Sequence, residues 1–335
     1  MDAVPAGAPQ GALFDGAPAV LPAATDAHVR ALAQALQVRW GGRLHLGTSS
    51  WHFPGWQGLV WQGRHGDALL SRHGLQAYAQ HPLLRCVSLD RAFYRPLDAA
   101  TYRALAAQVP EHFRFVVKAA ALVCDAVQRA PGTGAALQPN PQFLDPAAAL
   151  RLCVQPAVDG LGPQLGALVF QLSPLPATWL RDTAALHRRL ADLLAAVVPA
   201  VPAGSLVALE LRDAELLTPP LAALLRSHGV RCCLGLHDRL PAIDAQLPMQ
   251  RATWPGDLVC RWNLQRGQRY AQARDRWAPF DRLQAPDVPT RTTLARVVAG
   301  TLNAGHRAFV TINNKAEGSA PLSVIALAEA LLGLP

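Results

Sequence analysis

Short apolar runs and longer stretches of helical apolar spacing alternate along this chain from residue 44 to its end. The unit is clearest in RCVSLDRAFYRPLDAATYRALAAQVPEHFRFVVK, residues 85–118. An apolar run at 86–89 ends at Asp90, and an aromatic loop with Phe93 and Tyr94 follows. Pro96, Leu97 and Asp98 make a helix entry. Tyr102, Leu105, Ala106 and Val109 recur at helical spacing, and Pro110 stops the helix. A second apolar run, 113–117, is closed by Lys118. Strand, helix, strand, with polar residues at the carboxyl end of each strand, is the βαβ unit of a parallel sheet.

The unit recurs. Strand-like runs stand at 44–48, 86–89, 113–117, 167–172, 206–212, 230–236, 258–262 and 307–312. Helical patterns cover 26–38, part of 67–80, 147–158, 178–198, 216–228, a short stretch near Ile243, 290–303 and 321–332. Residues 130–146, with prolines and glycines interspersed, read as a long loop or insertion, and 265–289 as a polar, arginine-bearing excursion. Eight strands too apolar to carry a solvated face, each followed by a helix, predict a closed (β/α)8 TIM barrel in the α/β class. The rival is an open doubly wound sheet. It carries a glycine-rich phosphate turn after an early strand, which Gly47-Thr48-Ser49-Ser50 matches poorly.

Composition sets the boundaries. A chain of 335 residues exceeds the roughly 250 that a barrel needs, and 51% hydrophobic with 16% charged residues is a globular balance. Residues 1–40 read as an Ala/Pro/Gly-rich arm and a short helix, and 41–335 as the barrel. The arm carries Asp2 and Asp15 without a basic start, and prolines interrupt any apolar core, so it does not read as a secretion signal. The apolar stretch 191–211 contains Pro199, Pro202 and Glu210, which excludes a membrane span and a membrane partner. The six cysteines lack metal-ligand spacing and read as buried free thiols of a reducing cytoplasm. No metal and no cofactor is expected. The net charge of +8 comes almost entirely from arginine, and lysine occurs at two positions, 118 and 315. The arginines are dispersed, which weighs against a dedicated nucleic-acid surface.

Strand parity selects the candidate chemistry. Glu210 and Arg212 share a face opposite Val207, Leu209 and Leu211, so they point to the barrel axis. The same logic puts Lys118 with Val116, Gln171 with Val169, Asp90 with Ser88, and Arg261 and Asn263 with Val259. Asn313 and Asn314 follow the last strand. In a barrel these carboxyl-end residues converge where active sites lie. Lys118, Arg212 and Arg261 beside Glu210 and Asp90 suit a small anionic ligand, phosphate or carboxylate. Gly318-Ser319-Ala320-Pro321, near Lys315, offers a helix start whose backbone N–H groups can point at an anion. Glu210 and Lys118 are the candidate catalytic groups. Arg212, Arg261, Asn313, Asn314, Gln171, Asp90, Tyr94 and Trp51 are the candidate ligand contacts. The competing reading of the same residues is a buried ion-pair network around Glu210 that closes the core and does no chemistry. His237-Asp238 reads as a turn or cap, and Trp51, Phe53, Trp56 and Trp61 as a packed loop in preference to a stacking platform.

These pieces together resemble a known family. Gly47-Thr48-Ser49-Ser50-Trp51, Phe93-Tyr94-Arg95, Phe113-Arg114-Phe115 to Lys118, Phe170-Gln171-Leu172, Glu210-Leu211-Arg212, Arg261 and Asn313-Asn314 through Ala320-Pro321 are similar to the DUF72 (YecE-like) family. The likeness implies a TIM barrel in a cytoplasmic bacterial protein and names no reaction. The chain resembles a divergent member: Ser88 and Asp90 stand where the family tends to have glutamate and asparagine. Cys124-Asp125 and Asn263-Leu264 replace histidine-bearing pairs, and Ser173 replaces a proline. The leading functional expectation is an anion-binding barrel, a hydrolase or lyase if it is an enzyme. A non-catalytic nucleotide or nucleic-acid binder, using the aromatic loop and residues 266–276, is the alternative, and a metal-dependent phosphoesterase or nuclease a further one.

Overall fold

The computed structural model describes residues 21–24, 26–130 and 135–335, and the expected arm lies largely outside them. Among the described residues, nine parallel strands form one sheet. They are β1 (Leu44–Thr48), β2 (Leu84–Leu89), β3 (Arg114–Lys118), β4 (Leu165–Gln171), β5 (Leu206–Glu210), β6 (Arg231–Cys232), β7 (Leu234–Leu236), β8 (Leu258–Trp262) and β9 (Ala308–Ile312). They run in the order β6-β5-β4-β3-β2-β1-β9-β8-β7. The two ends of that order are consecutive in the chain, parted by Cys233, whose N–H donates to the Leu209 carbonyl at 2.8 Å. The sheet therefore comes round on itself as the expected TIM barrel, with a sixth strand that pairs with β5 through its first half and β8 through its second.

Helices cover the outside: α1 (Ala27–Trp40), α2 (Asp67–Ala79), α3 (Ala99–Ala106), α4 (Gln155–Leu161), α5 (Thr183–Val197), α6 (Pro219–Ser227), α7 (Ile243–Ala252), α8 (Tyr270–Trp277), α9 (Val288–Asn303) and α10 (Ala320–Leu332). Their starts are written in the sequence. Asp26, Asp98, Asp182 and Asp287 each accept a backbone N–H three residues on, at 2.7–3.2 Å, satisfying a donor that a helix start otherwise leaves unpaired. Thr218 caps α6, with proline at its first position. In α5, Leu186, Leu190, Leu193, Leu194 and Val197 form a fully buried stripe at helical spacing against the sheet. α1 buries Val29, Leu32, Leu36 and Trp40, and the Trp40 indole N–H donates to Asn303 at 2.7 Å, so this leading helix is docked on the barrel.

Three stretches differ from expectation. The aromatic segment after β2 closes into a helical turn, Arg91–Tyr94. The presumed loop 130–146 includes part of an antiparallel hairpin, Val127–Arg129 with Ala136–Pro139. The excursion after β8 contains α8. In each case a short local element takes up backbone groups that no long periodic pattern announced.

Inside the ring, Val116, Ala167, Val169, Ala208, Cys233, Val259 and Phe309 fill the lower and middle layers. His45 stacks on Phe309 with ring centroids 4.5 Å apart, and burial followed by nearby arginines brings its pKa down to about 3, so it is a neutral plug. The six cysteines are all free and buried. Cys232 belongs to the outer core and Cys233 to the inner one, as adjacent strand residues must.

Gly47 permits the closest approach in the ring. A Cβ there would lie 1.9 Å from the Cys86 carbonyl oxygen, at the point where the β1–β2 register shifts. Gly47→Ala is expected to lower unfolding free energy by roughly 3 kcal/mol, because backbone has to move to admit the methyl group. Urea denaturation measures it, and an unchanged midpoint would contradict the packing.

Candidate functional site

The residues that parity aims inward meet above the apolar plug, around a cavity of about 340 Å3. Lys118, Gln171, Arg212, Arg261, Asn313 and Lys315 all line it. The strands explain why. β4 and β5 pair with Gln171 beside Glu210, and β8 pairs with β9 so that Arg261 lies beside Thr311, putting these side chains at one height of the ring.

Glu210 is fully buried beneath the cavity and ties the set together. Its Oε1 lies 2.6 Å from Arg212 Nη1 and accepts from Asn263 Nδ2 at 3.1 Å. Its Oε2 accepts from Arg261 Nη1. Arg261 Nη2 then donates to Asp90 Oδ1 at 2.5 Å, which also accepts from Ser88 Oγ at 2.6 Å. Arg212 Nη2 donates to Gln171 Oε1 at 2.7 Å. Burial opposes ionisation of Glu210, but Arg212, Arg261 and Lys118 outweigh it and hold its carboxyl down at about 2. Burial likewise opposes the charge on Arg261, yet Asp90 and Glu210 raise its pKa. A carboxylate with both oxygens occupied and so low a pKa is not a proton donor at neutral pH. Glu210 orients arginines, which gives the ion-pair reading of this residue its physical basis.

The lysines are differently placed. Lys118 Nζ lies 3.5 Å from the centroid of the Phe93 ring, and among the described residues no carboxylate is within ion-pair distance of it. Burial, then the neighbouring Arg261 charge, lowers its pKa to about 8. Lys315 donates to Asn313 Oδ1 at 3.3 Å and faces Tyr270 at 4.3 Å. Burial, then Arg274, brings it also to about 8. The arginine charges are thus largely taken up by Glu210 and Asp90, whereas the two ammonium groups are not.

Tyr94 also lines the cavity, from its rim, and is 82% exposed. Two other expected contacts fall outside it. Trp51 is buried, 4.9 Å from the Arg91 guanidinium, and does not line the cavity. Asn314 is buried too: its Oδ1 accepts from the Trp56 indole at 3.1 Å and from the Ala320 N–H at 2.8 Å. The Ala320 N–H at the start of α10 is therefore turned to Asn314 and not to the cavity. Gly318, at φ +115°, packs against the backbone of Arg282 and Gln284 and closes the turn further.

Phe93, Tyr270 and His237 line the cavity although sequence reasoning assigned them no contact. Phe93 and Tyr270 lie on elements without strand parity. His237 follows β7 with the correct parity, and burial followed by Arg212 brings its pKa down to about 4, leaving a neutral imidazole. Asp238 anchors the excursion, accepting from the Gly267 N–H at 2.9 Å. Trp56 and Trp61 are fully buried, and Phe53 packs edge-on against Phe280 at 5.5 Å, so the aromatic loop is packed. Among the described residues no group of His, Cys, Asp or Glu could hold a metal ion, and no helix is long and apolar enough to cross a membrane. A second cavity, about 430 Å3, lies on the outer face between α7 and α9, lined by Arg231, Trp254 and Arg296. It is remote from the barrel mouth and shares none of its residues.

Residues 45–333 match the family model described as a protein of unknown function, DUF72. Among solved structures, a DUF72 family protein from Enterococcus faecalis V583 is similar at 17% identity and TM-score 0.56, over 86% of this chain and 95% of that one. One from Thermotoga maritima MSB8 is similar at 15% identity and TM-score 0.54, over 86% and 98%. No curated protein matches the chain.

Replacing Glu210 tests its role as a strut. Glu210→Gln leaves two buried guanidinium groups short of countercharge and is expected to cost roughly 3 kcal/mol of stability. A carboxyl that titrates at about 2 in the fold, below the ordinary 4.5, stabilises fully above about pH 4.5 and loses that contribution as pH falls towards 2. The gap between wild type and Glu210→Gln in urea should therefore narrow on acidification. A gap that stays constant down to about pH 2 would show that the charge does not hold the arginines.

Proposed function

The chain belongs to the DUF72 family, whose members share this barrel, and on that premise we propose that the mouth of the barrel binds a small anion, a phosphate or a carboxylate. The observation that carries the reading is the charge balance of the cavity. Lys118, Lys315, Arg212 and Arg261 stand against Glu210 and Asp90, and the two cations without a carboxylate partner are the lysines. An anion of matching size completes the balance in a desolvated space where each contact is stronger than in water.

In this reading Lys118 and Lys315 supply the direct charge contacts, as compact, adjustable ammonium groups suit a phosphate or carboxylate of variable pose. Asn313, already held by Lys315, and Gln171, held by Arg212, orient neutral oxygens. Asp90 and Glu210 keep the two guanidinium planes fixed. Phe93 and Tyr270 offer ring faces to the apolar part of the ligand. Where the protein is an enzyme, proton transfer falls to the lysine amines, which titrate near working pH, in place of Glu210.

A second reading draws on the rim. Tyr94 is 82% and Tyr270 56% exposed, and α8 carries Arg274 and Arg276 beside them. Exposed rings above a cationic floor suit a nucleotide or a single-stranded nucleic acid. Binding of an oligonucleotide whose affinity falls steeply with salt, and is lost in Tyr94→Ala, would favour it over a small-anion site.

Sulfate, which keeps its charge across the range, is the probe for the leading reading. Affinity measured by calorimetry should fall about tenfold between pH 7 and pH 9 for each lysine that must be protonated. Lys118→Met and Lys315→Met should each weaken binding by about tenfold or more. Equal affinity in the double variant would remove the site.

A further inference from the structure

Among 31 lysines and arginines, lysine stands at two positions, and the fold brings both to one cavity. Everywhere else this chain meets its need for positive charge with arginine. If anion binding alone were required at the mouth, guanidinium groups would serve, and two are already there. What arginine cannot supply is a primary amine that gives up its proton and attacks carbon.

The two lysines are not equivalent. Lys315 is engaged, hydrogen-bonded to Asn313 and lying against Tyr270. Lys118 ends β3 on the cavity floor and is 8% exposed. Its neighbours are the Phe93 ring face, the charges of Arg261 and Arg212, and the carboxylates of Asp90 and Glu210, which oppose but do not outweigh burial and the arginines. Among the described residues it has neither a carboxylate nor a hydrogen-bond partner to immobilise Nζ. Desolvation together with adjacent positive charge is the environment that frees a lysine amine at ordinary pH.

We propose that Lys118 is an imine-forming nucleophile for a small carbonyl compound that also bears an anionic group, an oxo acid or a sugar phosphate, whose charge Lys315 holds. The unprotonated Nζ adds its lone pair to the carbonyl carbon to give a carbinolamine. The oxygen then departs as water, taking both amine hydrogens, and a carbon–nitrogen double bond replaces the carbon–oxygen one. No oxidant or reductant is consumed. Gln171 and Asn313 line the same cavity, where they can receive the hydroxyl of the carbinolamine. With its amine titrating at about 8, Lys118 presents roughly a hundredfold more neutral amine at pH 8 than an ordinary lysine does.

The inference rests on the anion reading of the same mouth, and the experiment separates them. The full chain is incubated with glyoxylate, pyruvate or dihydroxyacetone phosphate, and sodium borohydride is added to reduce any imine to a stable secondary amine. Peptide mass spectrometry then locates the adduct. The expected result is an adduct on Lys118 with at least one probe, exceeding that on Lys315 by about tenfold or more. It should persist in Lys315→Arg at lower yield and vanish in Lys118→Arg, with circular dichroism confirming that both variants fold. No adduct with any of the three probes, or adduct shared equally between the lysines and the α-amino group, overturns the proposal. Sulfate that binds while no adduct forms leaves the anion site standing without the imine. An adduct on Lys118 that sulfate does not slow supports the imine and removes the anion reading.

Discussion

A carboxylate with no exposed surface, clasped between two guanidinium groups, is the interaction on which the mouth of this barrel depends. Glu210 holds Arg212 on one side and Arg261 on the other, and Arg261 passes the contact on to Asp90. The chain of charge crosses the ring from β5 through β8 to the end of β2. Taking Glu210 away leaves two nearly buried guanidinium groups short of countercharge, so the network stands or falls as a unit.

That arrangement decides which groups remain for a ligand. The arginines are the more conspicuous cations in the sequence, but their charge is met inside the protein. Lys118 and Lys315 rest instead on aromatic faces, which hold an ammonium without neutralising it. Both amines are consequently desolvated and titrate at about 8. The mouth thus divides its work between a rigid arginine–carboxylate frame and two amines held on aromatic faces. The solved DUF72 structures share the barrel at low identity, so the chemistry of this mouth has to be read from its own residues.

Much of this was legible in the chain itself. The count of apolar runs predicted a closed ring, and strand parity alone placed Lys118, Gln171, Arg212, Arg261 and Asn263 on the inner face, where they are found. Parity works because alternate side chains of a strand must leave on opposite sides, whatever the rest of the fold does. It carries a residue or two past a strand end, as at Arg212 and Asn263, and fails once the chain turns away. Asn314 and Trp51, both in connecting segments, were grouped with the mouth and instead serve as an internal cap and a packed ring. Phe93 and Tyr270, in segments read as loop, reach the cavity because a helical turn and α8 carry them there.

By itself, then, the sequence determined the barrel, the inward faces of its strands and the presence of just two amines, since periodicity and composition are properties of the chain alone. Only the tertiary structure decided which charges are spent and which are left. Pairing depends on distances between strands far apart in sequence: Glu210 meets Arg261 at a sequence separation of 51, and Arg261 meets Asp90 at one of 171. No local pattern records those distances, because ring closure sets them.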